Sequence, residues 1–333
     1  IWHDGARVKH MMDTFYNNKR VLVTGGAGFI GSFLVLGLLR AGARVTVITR
    51  PGGNTWRLLD MRGSVAIRQV DLLNKEETLS ALTSIQPELV FNLASLVNTT
   101  QSVDVLDELL LQNFTIAKNL FQAAVQAGVQ KVVQVGSIEE YGHGEVPFVE
   151  TAREVPISAY SLAKVMTTHL ALWFHRMGAL RVSVVRPAAT FGPAQGFGML
   201  TPNLIRACLE KKDFSMNPGD QIRDLIFVDD VARGIMAAGA HLEADGEIVN
   251  LGSGKLYRVK EVALLINELL GNPITIQFGV YPYRPLDTMR FYMDSHKAHQ
   301  LLDWHARTDL TLGMRQTVAW YRAHYQEMPY GQS

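Results

Sequence analysis

The first half of the chain is punctuated by short apolar runs rich in β-branched residues: RVLVT at 20–24, RVTVI at 44–48, VAIRQV at 65–70, ELVFNL at 88–93, KVVQV at 131–135 and RVSVVR at 181–186. Helix-length segments carrying helical apolar spacing separate them. Such alternation predicts repeated strand–helix–strand units and a parallel sheet with helices on both faces. The strands read as buried from two sides, so the sheet should lie inside the molecule. After RPAATFGP at 186–193 the order loosens. Proline and glycine punctuate a predicted helix near 202–210, a short strand at 248–251 and helices near 259–269 and 312–325, read together as a second, smaller α/β lobe.

At 333 residues the chain exceeds what one small core usually fills. The reading is a doubly wound nucleotide-binding domain at 19–190 and a substrate lobe mainly at 191–330, with later segments returning to the first domain. Residues 1–18 are set apart as a tag or disordered terminus, since the opening IWHDGARVKH has no continuous apolar segment and precedes Met11 and Met12. The formal charge is +1 without a lysine or arginine stripe, so nucleic acid is not an expected partner. Cys208 is the only cysteine, which excludes an internal disulfide and favours a reducing, cytoplasmic location. The longest apolar stretch, FLVLGLL, is far short of the roughly 20 residues that cross a membrane. The histidines show no metal-ligand spacing.

Chemistry enters with RVLVTGGAGFIGSFLVLGLL, which sets Gly25, Gly28 and Gly31 directly after the first strand and at the opening of a helix. A tight turn at Gly25, close backbone approach to a pyrophosphate at Gly28 and close helix packing at Gly31 all need a missing Cβ, and the helix N-terminus then faces the phosphates. This strand–turn–helix context points to a dinucleotide site on a Rossmann-type sheet; a glycine turn needed only for packing is the alternative. The second strand ends in Thr49 and Arg50, with Arg57 nearby and no carboxylate to bind ribose hydroxyls, so NADP(H) is favoured over NAD(H). Asp71 and Leu72 leave the third strand, and Leu93, Ala94 and Ser95 leave the fourth, at the ends where ligands collect in open sheets.

SAYSLAKVMTTHLALWF carries Tyr160 and, four residues later, Lys164 on one helical face. A neighbouring ammonium should draw the phenol down from its free value of about 10 towards a useful acid–base range. QVGSIEEYGHG at 134–144 places Ser137, Glu139 and Glu140 at the mouth of a buried strand. An exposed tyrosine with an unrelated lysine is the plain alternative.

The glycine turn, NLAS at 92–95, GSIEEYG at 136–142, Tyr160 with Lys164, and RPAATFGP follow one another in an order that resembles the extended short-chain dehydrogenase/reductase family from about Arg20 to Tyr325. The resemblance implies a Rossmann-type domain with a C-terminal lobe for a nucleotide-diphosphate sugar. It makes Tyr160 the proton donor or acceptor, Lys164 its electrostatic partner and Ser137 the carbonyl anchor. It extends the cofactor path to Phe29, Ile30, Pro187 and Ala188, and the substrate contacts to Val97, Glu139, Thr190, Arg223 and Arg290, with Arg284 as a helper. Helices near 106–127 and 159–174 resemble those through which the family forms homodimers, though core packing accounts for apolar stripes equally well. Asp229 and Asp230 are expected to cap a helix beginning at Val231.

Within the family, Glu139 falls where sugar 4,6-dehydratases place the base for C5, while Ile138 replaces the aspartate that protonates the leaving hydroxyl in thymidine-sugar dehydratases; GDP-mannose dehydratases lack that aspartate too, so Ile138 does not exclude every dehydratase. GSIEEYG is similar to the GSSEEYG stretch of GDP-4-keto-6-deoxymannose reductases. Ala189 stands where many members carry asparagine. The implied activity is NADPH-dependent reduction of a nucleotide-linked 4-keto-6-deoxy sugar in deoxysugar biosynthesis. A 4-epimerase or 4,6-dehydratase with recycled cofactor is the alternative, and a nonenzymatic cofactor-binding regulator is the third reading.

Overall fold

The structure, a computed structural model, describes residues 12, 14–98, 100 and 102–328. The six apolar runs form β1 (Arg20–Thr24), β2 (Arg44–Thr49), β3 (Ala66–Gln69), β4 (Leu89–Asn92), β5 (Lys131–Val135) and β6 (Arg181–Pro187). Further strands follow: β7 (Ala189–Phe191), β8 (Phe214–Met216), β9 (Ile222–Phe227), β10 (Ile248–Leu251), β11 (Leu256–Arg258), β12 (Ile276–Phe278) and β13 (Arg290–Phe291). Seven strands make one parallel sheet in the order β10-β6-β5-β4-β1-β2-β3. The chain winds outward from β1 to β3, returns to β4 on the other side of β1 and winds away again. That reversal leaves a crevice beyond the C-terminal ends of β1 and β4.

Helices α1 (Phe29–Arg40), α2 (Lys75–Ile85), α3 (Leu106–Gln126) and α4 (Ala159–Arg176) connect these strands. Later come α5 (Leu200–Leu209), α6 (Val228–Ala240), α7 (Val259–Leu269), α8 (His296–Leu302) and α9 (Leu310–His324). Leu82 of α2, Leu120 and Phe121 of α3 and Phe174 of α4 cover one face of the sheet. Leu34 and Leu38 of α1 and Ile235 and Met236 of α6 cover the other. A further core joins α5, α7 and α9 through Ile205, Ile266 and Val318.

Three expectations change here. The strand at 248–251, expected in the second lobe, pairs with Val184–Pro187 at the edge of the large sheet, satisfying the outer backbone groups of β6. The helix expected from Val231 starts at Val228 with Phe227 at its N-cap, so Asp229 and Asp230 lie inside its first turn rather than capping it. Asp230 instead pairs with Arg233 and accepts from Thr308 N at 2.9 Å. The boundary at residue 18 falls too late: Tyr16 is fully buried and donates from Oη to Met236 O at 2.6 Å. Residues 1–11 and 13 of that segment lie outside the described residues. Among the described residues, no helix is long and apolar enough to cross a membrane.

Phe121 is fully buried and stacks on Phe174, with ring centroids 5.3 Å apart, where α3 and α4 meet the sheet. Phe121→Ala should therefore lower the free energy of unfolding by about 3–5 kcal/mol, measured by urea titration.

Candidate active site

The glycine turn forms where the sheet order reverses. Gly25 has φ +68°, and a Cβ on it would lie 2.7 Å from Leu93 C and 2.8 Å from Ala94 N, so the turn after β1 rests directly on the chain leaving β4. At Gly31 a Cβ would fall 2.1 Å from Gly25 O, which is why α1 can start so close to the sheet. Gly28 is the N-cap of α1, no side chain caps that end and no acid stands in its first turn, so nothing of the chain's own charge competes with an anion for the helix terminus that Phe29 and Ile30 open. Thr49, closing β2, keeps Oγ1 buried without a hydrogen-bond partner. An uncapped helix end after β1 and an unpartnered hydroxyl closing the neighbouring strand β2 fit a dinucleotide.

The other expected cofactor residues are placed around that crevice. Ala94 N donates to Thr24 Oγ1 at 3.3 Å, Ser95 Oγ donates to Leu96 O at 3.4 Å, and Asp71 Oδ1 accepts from Leu73 N at 3.0 Å. Leu72 is buried, Pro187 ends β6, and Ala188 N donates to Leu251 O at 2.9 Å. Arg50 is exposed. Arg57 is committed elsewhere: Nε donates to Ala194 O at 2.9 Å and Nη1 to Ala27 O at 3.4 Å, and burial lowers its proton affinity to about 10. It ties the glycine turn to the second lobe.

The structure brings Ser137, Tyr160, Lys164 and Glu139 together. Ser137 ends the loop after β5 and opens a single helical turn at 138–140, its Oγ accepting from Glu139 N at 3.1 Å. Ser158 caps α4 by accepting from Ser161 N at 3.1 Å, which sets Tyr160 in the first turn and Lys164 one turn deeper. Both side chains are buried; Lys164 Nζ donates to Val135 O at 2.9 Å and lies 5.8 Å from the Tyr160 ring centroid. The phenol is not made acidic as the spacing predicted. Burial first, then the charges of Glu139 and Glu140, hold its proton affinity well above the ordinary tyrosine value, and hydrogen bonding to Ser137 only partly offsets them. Lys164 is pushed by burial from 10.5 down to about 8, against the charge of Glu140.

Burial likewise raises the proton affinity of Glu139, opposed by Arg223 and Arg284, while Asp287 adds to the rise. Arg223 pairs with Asp287 (Nη2 to Oδ1, 3.0 Å) and donates from Nη1 to Thr288 O at 2.7 Å. Arg223 and Arg290, both expected to contact the substrate, do not share a face. Ladder partners share a face, and Arg223 stands opposite Phe291 whereas Arg290 stands opposite Ile222, so the two arginines leave opposite faces. Arg290 Nη2 donates to Tyr292 Oη at 3.1 Å, and Arg284 is the second arginine whose charge reaches Glu139. Val97 is 62% exposed, and Thr190 turns its hydroxyl back to Ala188 O at 2.9 Å. Among the described residues no group of acids, histidines and cysteine could hold a metal ion.

Sequence reasoning missed a buried polar string beneath the site. Thr24 Oγ1 donates to Asn92 Oδ1 at 2.6 Å, Asn92 Nδ2 to Gln134 Oε1 at 2.7 Å and Gln134 Nε2 to Val135 O at 3.2 Å, the carbonyl that also holds Lys164. The available signal was three polar residues at matched positions near the ends of otherwise apolar strands.

The Lys164 shift has a thermodynamic sign. Below about 8 the folded chain carries a buried ammonium; between about 8 and 10.5 it has released a proton that the unfolded chain still binds, so stability rises with pH across that window. Lys164→Met should flatten that rise, read as the urea midpoint against pH for both proteins; an identical slope in the variant would contradict the assignment.

Residues 21–252 match the NAD dependent epimerase/dehydratase family. The UDP-N-acetyl-alpha-D-glucosaminuronate decarboxylase of Bacillus cytotoxicus is 30% identical over 322 residues, covering 91% of this chain and 98% of the relative. The UDP-glucose 4-epimerase of Mycolicibacterium smegmatis is 30% identical over 315 residues, with 91% and 98% covered. Among solved structures, the epimerase Mth375 of Methanothermobacter thermautotrophicus superposes with a TM-score of 0.91 at 29% identity over 98% of each chain. MoeE5 in complex with UDP-glucuronic acid and NAD superposes with a TM-score of 0.81 at 32% identity, over 91% of this chain and 99% of that one. The chain thus belongs to the NAD dependent epimerase/dehydratase family, enzymes of the extended short-chain dehydrogenase/reductase type.

Proposed function

We propose that the chain oxidises C4 of a nucleotide-diphosphate-linked hexose or hexuronate, alters the resulting ketone and reduces it again, so that the cofactor is recycled. The carrying observation is Glu139, a largely buried carboxylate with raised proton affinity beside Tyr160. Plain reduction at C4 needs one proton donor and no second proton-handling group. Once C4 is a ketone, the position next to it becomes acidic, and a carboxylate of raised proton affinity suits proton transfer there. The bound nicotinamide supplies the hydride acceptor and donor. Tyr160 exchanges the proton of the C4 oxygen, Ser137 hydrogen-bonds that oxygen, and positive Lys164 steadies the phenolate that burial disfavours. Arg223 and Arg284 offer forked donors to the diphosphate.

Ile138 cannot donate a proton to a departing hydroxyl. Loss of a carboxylate from the carbon next to the ketone, as CO2, with Glu139 returning a proton to that carbon, therefore fits better than loss of water by the thymidine-sugar route; inversion at C4 alone leaves Glu139 without a proton to move. The decarboxylase relative supports this choice, while the dTDP-glucose 4,6-dehydratase relatives fit loss of water. A second reading, NADPH-dependent reduction of a 4-keto-6-deoxy sugar in deoxysugar biosynthesis, is favoured by Thr49 and Arg50 at the end of β2, where no carboxylate stands. For the same reason NADP(H) is proposed ahead of NAD(H). Exposed Leu111 on α3 and Trp173 on α4 support a homodimer, and the single, buried Cys208 suits a cytoplasmic setting.

The test incubates the protein with UDP-, dTDP- and GDP-linked hexoses and hexuronates plus NAD or NADP, following product mass and cofactor absorbance together. A new product without net change in reduced cofactor is expected, and Tyr160→Phe should lower turnover about a hundredfold or more with cofactor binding retained. Stoichiometric NADPH consumption on a 4-keto-6-deoxy sugar would establish the second reading instead.

A further inference from the structure

The second carboxylate of GSIEEYG, Glu140, has no part in the chemistry just described, yet it is fully buried against an equally buried Arg186. Glu140 Oε1 accepts from Ser137 N at 2.9 Å, and Oε2 accepts from Arg186 Nε at 3.0 Å and Nη2 at 2.6 Å. Arg186 is fixed in turn: Nη2 donates to Glu154 Oε1 at 2.7 Å, and the guanidinium lies over the Tyr141 ring, 4.5 Å from its centroid. Gly136 keeps this arrangement possible, because a Cβ there would lie 2.2 Å from Glu140 Oε1 and 3.2 Å from Arg186 Cγ. Gly136 N donates to Val185 O at 2.8 Å, anchoring the loop to the strand that carries Arg186.

Stability alone does not account for the pair. A buried ion pair often contributes no more than well-packed apolar residues of the same volume. What it does supply is direction: one carboxylate oxygen is taken by a fixed guanidinium, and the other is left in one place for one backbone donor.

We propose that Glu140 is a positioning residue: clamped by Arg186, its carboxylate holds the Ser137 N–H and thereby sets the direction in which the Ser137 hydroxyl faces Tyr160. The proposal deepens the functional reading above and rests on its assignment of Ser137 to the C4 oxygen.

The test begins with nitrogen-15 labelled, ligand-free protein, which needs no substrate. The Ser137 amide proton should resonate at low field and exchange slowly with solvent in the wild type; rapid exchange there overturns the proposal whatever the variants do. In Glu140→Gln, which keeps shape and removes charge, the resonance should move upfield. Gly136→Ala, which displaces the carboxylate and keeps its charge, should do the same. An unmoved Ser137 amide in either folded variant refutes the clamp. On whichever nucleotide sugar the wild type turns over, Glu140→Gln should lower kcat about tenfold to a hundredfold while KM stays within about twofold. A raised KM with kcat intact would also refute it. If no nucleotide sugar is turned over, the functional reading fails while the amide measurements still decide the clamp.

Discussion

The crevice exists because the backbone after β1 can touch the backbone after β4. Gly25 sits so close to residues 93 and 94 that no side chain fits between them, and Gly31 lets α1 start against the same turn. With any Cβ at those positions the turn would lift, the helix N-terminus would move off the sheet, and the strand ends would no longer enclose one groove. Everything proposed for the site assumes that contact. The order reversal in the sheet decides where a ligand can lie, and the two glycines decide how closely the backbone can follow it.

Burial then governs the proton chemistry. Tyr160, Lys164 and Glu139 are all shifted toward their neutral forms, and desolvation is the largest cause in each case. Charges act second, and they oppose one another. Glu140 makes the phenol harder to ionise while helping Lys164 keep its proton. A spacing argument foresees the attraction between amine and phenol but has no access to the environment they share, which is why it gives the Tyr160 shift the wrong direction. The lysine ammonium also points at Val135 O, a partner that exists only once β5 is in place.

Much of the sheet could be read from the chain because its central strands, buried on two faces, need short β-branched apolar runs, unlike the leucine-rich run inside α1; the edge strand β3 departs from that expectation and is mostly exposed. The edge strand β10 was harder: IVNL is short, and only its pairing with β6 distinguishes it from a strand of the smaller lobe. The glycine turn and the Tyr160–Lys164 pair were legible since each depends on local spacing. Arg290 was not, because strand alternation turns it away from Arg223 and no spacing in an irregular stretch reveals that. The string from Thr24 through Asn92 to Gln134 could have been suspected from its composition, but its continuity requires the register.

That string and the Glu140 carboxylate hold the same loop. Gln134 and Lys164 both donate to Val135 O, and one residue further on Gly136 makes room for the carboxylate that holds Ser137 N. Residues 134–137 are therefore fixed by partners on β4, β6 and α4 rather than by their own conformation. If Ser137 anchors the substrate oxygen as proposed, its loop must resist small displacements, since about an ångström of misplacement can cost two orders of magnitude in rate. Glycine at 136 would by itself loosen this loop. Filling the space it leaves with a charged group held by a buried arginine converts the most permissive residue of the segment into a tightly specified one.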